Sequence, residues 1–249
     1  KNRCVLAEPH PADLTISALF AETCANQSGL SDVVSLPSGV VDFAGPVNPV
    51  MFTVPATSGE RAISGEAAYM VYGFGSKSGV APWEDESFIF RRRGTSGTQQ
   101  TIALTLGLNP DELRGRDSNG ATNMLAAMLS SSEPSKTIGI TSSEIVDPNR
   151  DVMKSLAYRH FGQPVAFYPD SSASSYDRRN VRDGHYFMWM PLHVLARPLA
   201  LDDLRRHRHL VVRDSGSQRT RGGAWLNETR WTVTHKATSI RAACMGLGF

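Results

Sequence analysis

Two spacings of apolar residues alternate along this chain. Short apolar-rich runs bounded by Pro, Gly or Ser predict strands at 12–17, 50–55, 87–90, 137–140, 156–158 and 165–168. Between them, residues 64–73 predict a helix with Ser64 as N-cap and Gly73 as its stop. Two further helices are predicted at 98–108 and 119–129, with helical turns opening at 110–113 and 143–146. Segment 185–195 is apolar and aromatic, and is expected to be buried. Strands that alternate with helices predict an α/β class with a mixed sheet. After Ala196 the pattern restarts, with a helical turn at 201–205, strands at 210–212 and 231–233, and a helix at 239–245.

Composition narrows the class. The 249 residues suffice for one large domain or two lobes with real cores. An apolar content of 41% and a charged content of 20% are ordinary for a soluble globular protein. No run approaches the roughly 18 apolar residues a membrane span needs. The start, Lys1-Asn2-Arg3-Cys4, carries no signal-peptide hydrophobic region, so a signal was removed or there was none.

A net charge of +2 gives no argument for nucleic acid, but the charge is unevenly spread. Residues 197–249 hold ten Lys/Arg against four Asp/Glu, a net of +6. Residues 1–196 hold sixteen against twenty, a net of −4. The basic run 205–209 reads as a charged helix face leading into a strand, because it lacks aromatic stacking partners and a groove-reading helix. Of three cysteines, Cys4 and Cys24 could close a loop in an oxidising compartment, leaving Cys244 over; the alternative is three reduced thiols. No Cys/His spacing fits a metal site, and no cofactor motif is present.

The segment with most chemistry is Arg91-Arg92-Arg93-Gly94-Thr95-Ser96-Gly97-Thr98-Gln99. It follows a predicted strand and precedes a predicted helix. Strand, glycine-hydroxyl loop, then helix aims free backbone N–H groups at an anion. Guanidinium groups add charge-assisted hydrogen bonds. Three adjacent arginines cannot all face one ligand, so at least one is expected at the surface. No Gly-Lys-Ser/Thr follows, so this is not a nucleotide P-loop. Residues 119–121 could offer a second set of helix-start N–H groups. Catalysis has little basis: Ser215 is not in a Gly-x-Ser-x-Gly elbow, and Asp183 with His185 is a pairing any long chain offers. The expected protein is not an enzyme.

In its order of segments, 12–17, 50–55, 90–98 and 137–140, closed by 180–186 with Trp189 and Pro191, the stretch 1–196 resembles the phosphate-type substrate-binding proteins of bacterial ABC transporters. The resemblance implies a two-lobe periplasmic-binding-protein-like (type II) fold with mixed sheets, whose anion-loop lobe is about residues 50–150. It implies a non-catalytic, extracytoplasmic protein that holds a small, phosphate-like oxyanion and serves an ABC permease, with no nucleic acid and no membrane insertion. Arg92 matches the family's anion-binding arginine, Ser96, Gly97 and Thr98 match its Ser-Gly-Thr donors, and Ser17 matches the serine of its Ser-Asp pair.

Two departures remove carboxylates. Ala18 replaces the aspartate of that pair, and Gly94 stands where the arginine loop usually has an acid. An unprotonated oxyanion gains nothing from such acceptors; a protonated one without them leaves a donor unmatched, at about 1–3 kcal/mol. Nothing before Cys4 matches the family's first strand and Gly-Ser-Ser-type loop, so the chain is expected to begin inside the first lobe.

The tail, 197–249, resembles the effector-binding domain of LysR-type transcription regulators, carried by 197–217, 231–233, 237–240 and 246–249. There Thr238 and Ser239 match helix-start hydroxyls that face effector, and the DNA-binding part is absent. These two resemblances imply a chimera of two related bilobal folds joined near Ala196-Arg197. The alternatives to the oxyanion reading are an effector-sensing module without its DNA-binding domain, and a scaffold without a working site.

Overall fold

The computed structural model describes residues 14–20, 36 and 38–196. The expectations for 197–249, for the junction near Arg197 and for Cys4, Cys24 and Cys244 lie outside the described residues. The chain divides into two compact units. Residues 47–190 belong to one; the described flanks, 14–20, 38–46 and 191–196, belong to the other. The expected α/β class with mixed sheets is what the chain adopts.

In chain order the elements are β1 (Leu14–Ser17), β2 (Val41–Pro55), β3 (Ala62–Ser64), α1 (Gly65–Phe74), β4 (Ile89–Arg91), α2 (Gly97–Leu106), β5 (Arg116–Asp117), α3 (Ala121–Leu129), β6 (Ile138–Ser142), α4 (Ser143–Val146), β7 (Met153–Ser155), β8 (Ala157–Arg159), α5 (Arg179–Arg182) and β9 (Trp189–Ala196). Strands β2 and β9 each carry the chain from one unit into the other. In the flanking unit β1 pairs antiparallel with β9, Leu14 opposite Ala196.

The sheet of unit 47–190 runs β7-β2-β6-β4-β5. Strand β2 is antiparallel to both neighbours; β6, β4 and β5 are mutually parallel. All five residues of β6 are buried, which explains the near-continuous apolar run of Ile138-Gly139-Ile140. Each parallel strand ends just before a helix start: β4 before α2, β5 before α3, β6 before α4. The carboxyl edge of a parallel sheet is where α/β folds gather ligand-facing loops. The core is built on Phe52, Tyr72, Phe90, Ile102, Met124 and Ile140, each at most 1% exposed.

Local signals explain most boundaries. Ser64 caps α1, its Oγ accepting from Ala67 N at 3.1 Å. Gly73 is not the stop, though. It lies inside α1, where its missing side chain lets Leu108 Cδ2 close to 3.3 Å from a Cβ position. The stop is Gly75, at φ +56, whose N–H reaches Val71 O.

The predicted strand at 87–90 starts only at Ile89, because Asp85 Oδ1 accepts from Ser87 N at 2.9 Å and caps a 3₁₀ turn at 86–88. The predicted strand at 165–168 shrinks to one bridge, Phe167 to Tyr158. Pro164 and Pro169 flank it, and proline cannot extend a ladder. Segment 185–190 is not buried throughout: Tyr186, Met188 and Met190 are inside, while Phe187 (48% exposed) and Trp189 (42%) face out, in the period of a half-buried strand.

Helix α3 lies directly on β6, because a Cβ on Gly139 would fall 2.5 Å from Met128 Sδ. Gly139→Ala is expected to force the methionine off its rotamer and cost roughly 1–3 kcal/mol. Urea denaturation checks it, and a loss below about 0.5 kcal/mol would show that α3 can back away freely.

Candidate functional site

The loop 92–96 leaves β4 and enters α2, a helix of ten residues. Ser96 is its N-cap in extended geometry (φ −79°, ψ 127°), yet its hydroxyl makes no capping bond. Among the described residues the backbone N–H groups of Gly97, Thr98 and Gln99 find no acceptor, as the first turn of a helix dictates. The loop itself is pinned. Ser96 N donates to Arg93 O at 2.8 Å, and Gln100 Nε2 donates to Gly94 O at 2.6 Å. Gln99 Nε2 donates to Pro110 O at 2.5 Å, tying the helix start to the turn at 110–112.

The three arginines part company. Arg91 Nε donates to Gly115 O at 3.1 Å, and its guanidinium lies 4.0 Å from Asp117. Arg93, with 56% of its side chain exposed, lies 4.0 Å from the same carboxylate; this is the surface arginine the sequence required. Arg92 forms no ion pair or side-chain hydrogen bond among the described residues, and its Nε is sealed from solvent without a partner. Burial pulls its pKa below the ordinary guanidinium value, while the carboxylates of Glu144 and Asp117 push it back up. A guanidinium stays charged through such shifts, so the loop holds a half-buried cation with no contacting anion among the described residues.

Glu144 belongs to a polar cluster that the sequence pattern shows only as a helical turn. Asn48 Nδ2 donates to its Oε2 at 2.7 Å and Ser142 Oγ to its Oε1 at 2.6 Å, while Ser143 Oγ donates to Asn48 Oδ1 at 2.6 Å. Beside this cluster, Thr141 is wholly buried and its Oγ1 has no partner among the described residues. The run Thr141-Ser142-Ser143-Glu144 at the end of an apolar strand was the available signal.

The expected gap at Gly94 is filled from elsewhere in the chain. A Cβ on Gly94 would land on Asp111 Oδ1, so the turn at 110–112 places a carboxylate where a side chain at 94 would be. The arginine loop therefore has a carboxylate, supplied from seventeen residues downstream. Asp111 also lines, with Glu86, Arg91, Glu112, Leu113, Arg114 and Gly115, a polar cavity of about 330 Å³.

Of the predicted site residues, Arg92, Ser96, Gly97 and Thr98 share the β4–α2 junction of unit 47–190, with Thr98 buried at 4% exposure. Ser17 belongs to the other unit. It is buried, its Oγ donating to Leu19 O at 2.7 Å and accepting from Leu19 N at 3.1 Å. Residues 119–121 open α3, with Gly120 at its cap and no side-chain cap bond. His185 stacks on Phe167, ring centroids 4.9 Å apart.

No family model matches the sequence, and no curated protein matches it. Solved structures do match in fold. A Clostridium perfringens protein described as a "Putative Phosphate ABC Transporter Substrate-Binding Protein with Bound Phosphate" superposes with TM-score 0.53 at 12% identity, over 76% of this chain and 68% of that one. An ABC-type phosphate transport receptor from Vibrio cholerae gives 0.50 at 13% identity, over 79% and 72%. A "possible phosphate binding protein" from Planctomyces limnophilus gives 0.49 at 13% identity, and this chain covers 57% of its length. The likeness shows the fold: a periplasmic-binding-protein-like α/β fold with mixed sheets.

Proposed function

We propose that this chain is a non-catalytic solute-binding protein that holds a small, phosphate-like oxyanion at the N-terminus of α2 and serves ABC-type uptake outside the cytoplasm. One observation carries the reading. Arg92 is a half-buried guanidinium with no ion pair among the described residues, next to a helix start whose Ser96 hydroxyl and Gly97 and Thr98 amides are unused. A tetrahedral oxyanion accepts from the arginine fork and from the helix start together. Solved proteins of this fold that are described as phosphate-binding add support.

Isothermal titration of the whole chain with inorganic phosphate and with sulfate tests it. Saturable heat with one molecule per chain is the expected result. No heat with either, at millimolar concentrations, would overturn the proposal.

A further inference from the structure

The oxyanion reading uses the end of the Arg92 fork, its two terminal nitrogens. That leaves Nε–H, which points back toward the protein and needs an acceptor of its own. In the parallel pair, Ile89 stands opposite Ile138 and Phe90 opposite Gly139. Arg92 is the first residue after β4; carried two residues past the last paired residues, the same register assigns it the position beside Thr141, on the face of Phe90 and Gly139, at the roughly 4.8 Å spacing of neighbouring strands. Thr141 is wholly buried between β2, where Met51 is its partner, and the Arg92 position. Its hydroxyl is sealed from solvent and unpartnered among the described residues, and so is Arg92 Nε.

A sealed donor without an acceptor and a sealed hydroxyl without a partner, at positions that the continued register sets side by side, are each costly as they stand. Because Thr141 is sealed, an oxygen-sized ligand atom cannot touch it, so it is not a direct ligand.

Resting on the oxyanion reading, we propose that Thr141 is a positioning residue: it accepts from Arg92 Nε when an oxyanion occupies the fork, and so fixes the plane of the guanidinium. With the terminal nitrogens held by the anion and Nε held by Thr141, the fork has one orientation. Without the anion, the carboxylates of Glu144 and Asp117 act on it from beyond ion-pair distance. The hydroxyl thus costs stability in the free protein and returns it in the complex.

Three chains, wild type, Thr141→Val and Thr141→Ser, titrated with inorganic phosphate and melted with and without it, test the inference. Thr141→Val keeps the shape and removes the hydroxyl. It is expected to melt at or above the wild-type temperature when free, yet to bind phosphate about tenfold or more weakly. Thr141→Ser should recover affinity to within about threefold, since it restores the acceptor. At saturating phosphate the exchange of Arg92 Hε with water should slow in wild type and should not slow in Thr141→Val.

If wild type binds phosphate and Thr141→Val binds it equally well, the inference is wrong while the oxyanion reading stands. Both variants weakened alike, with lowered melting temperatures, would reduce Thr141 to packing and also overturn it. If wild type binds neither phosphate nor sulfate, reading and inference fall together.

Discussion

Asp170→Ala is expected to cost about 3–5 kcal/mol of stability, because it strips one partner from a buried ion network. Asp170 is 2% exposed and accepts four hydrogen bonds. Arg178 gives three of them: backbone N at 2.8 Å, and Nη1 to both carboxylate oxygens at 2.8 and 2.7 Å. Arg150 Nη2 gives the fourth at 2.7 Å. Asp147 completes the group, accepting from Arg150 Nε at 3.1 Å and Nη2 at 2.7 Å, and from Arg178 Nη2. Two guanidiniums and two carboxylates balance; without Asp170 the group is left with one uncompensated buried positive charge.

The network also organises backbone. Arg178 is held at φ +51, a conformation that costs a non-glycine residue about 1 kcal/mol or more. Arg150 Nη1 donates to Ser175 O at 2.5 Å, and its guanidinium lies 3.8 Å over the Tyr176 ring. The polar loop 171–177 is thereby fastened to the end of the α4 segment. Chemical denaturation measures the loss, with Glu66→Gln as the control. Glu66 pairs with Arg159 at 3.1 Å, but both are exposed, and such a pair is worth at most about 1 kcal/mol. If Asp170→Ala and Glu66→Gln cost the same, water reaches the network and it is not a buried one.

That network was not legible in the sequence, where Asp147, Arg150, Asp170 and Arg178 look like solvated charges scattered over thirty-two positions. The features that were legible are local ones. Ser64 and Ala67, the apolar run ahead of Ser142, and the glycine-hydroxyl loop ahead of α2 all act within a few residues of themselves. So the α/β class and the strand-loop-helix frame around the candidate site could be read directly. The surroundings of that candidate site are assembled by contacts distant in sequence: Asn48 with Ser143 and Glu144, and Asp111 in the space of Gly94. The loss of an acid at Gly94 looked like a missing charge, whereas three-dimensional packing supplies one from the turn that follows α2. Local pattern also overextends, as at 165–168, where β-forming residues between two prolines yield a single bridge.

Arg92→Ala is expected to weaken phosphate binding by 100-fold or more. Two charge-assisted hydrogen bonds at about 1.5 kcal/mol or more each amount to about 3 kcal/mol, and every 1.4 kcal/mol is a factor of ten. The same variant should melt no lower than wild type when free, because it removes a half-buried cation that has no ion pair among the described residues. Loss of binding together with lost stability would instead make Arg92 a structural residue. Arg92→Lys separates charge from geometry. Burial lowers the guanidinium pKa here, with Glu144 and Asp117 opposing it. The same burial acts on an ammonium, whose ordinary pKa of about 10.4 leaves far less margin. A lowered lysine pKa means that the charged, anion-holding form exists below that pKa and is lost as pH rises through it. Between about pH 8 and 10, where phosphate keeps one charge state, the lysine variant should therefore lose affinity with rising pH while wild type stays level. Titration calorimetry across that window reads the difference, and a lysine variant whose affinity is as flat as the wild type's would show that position 92 is open to solvent.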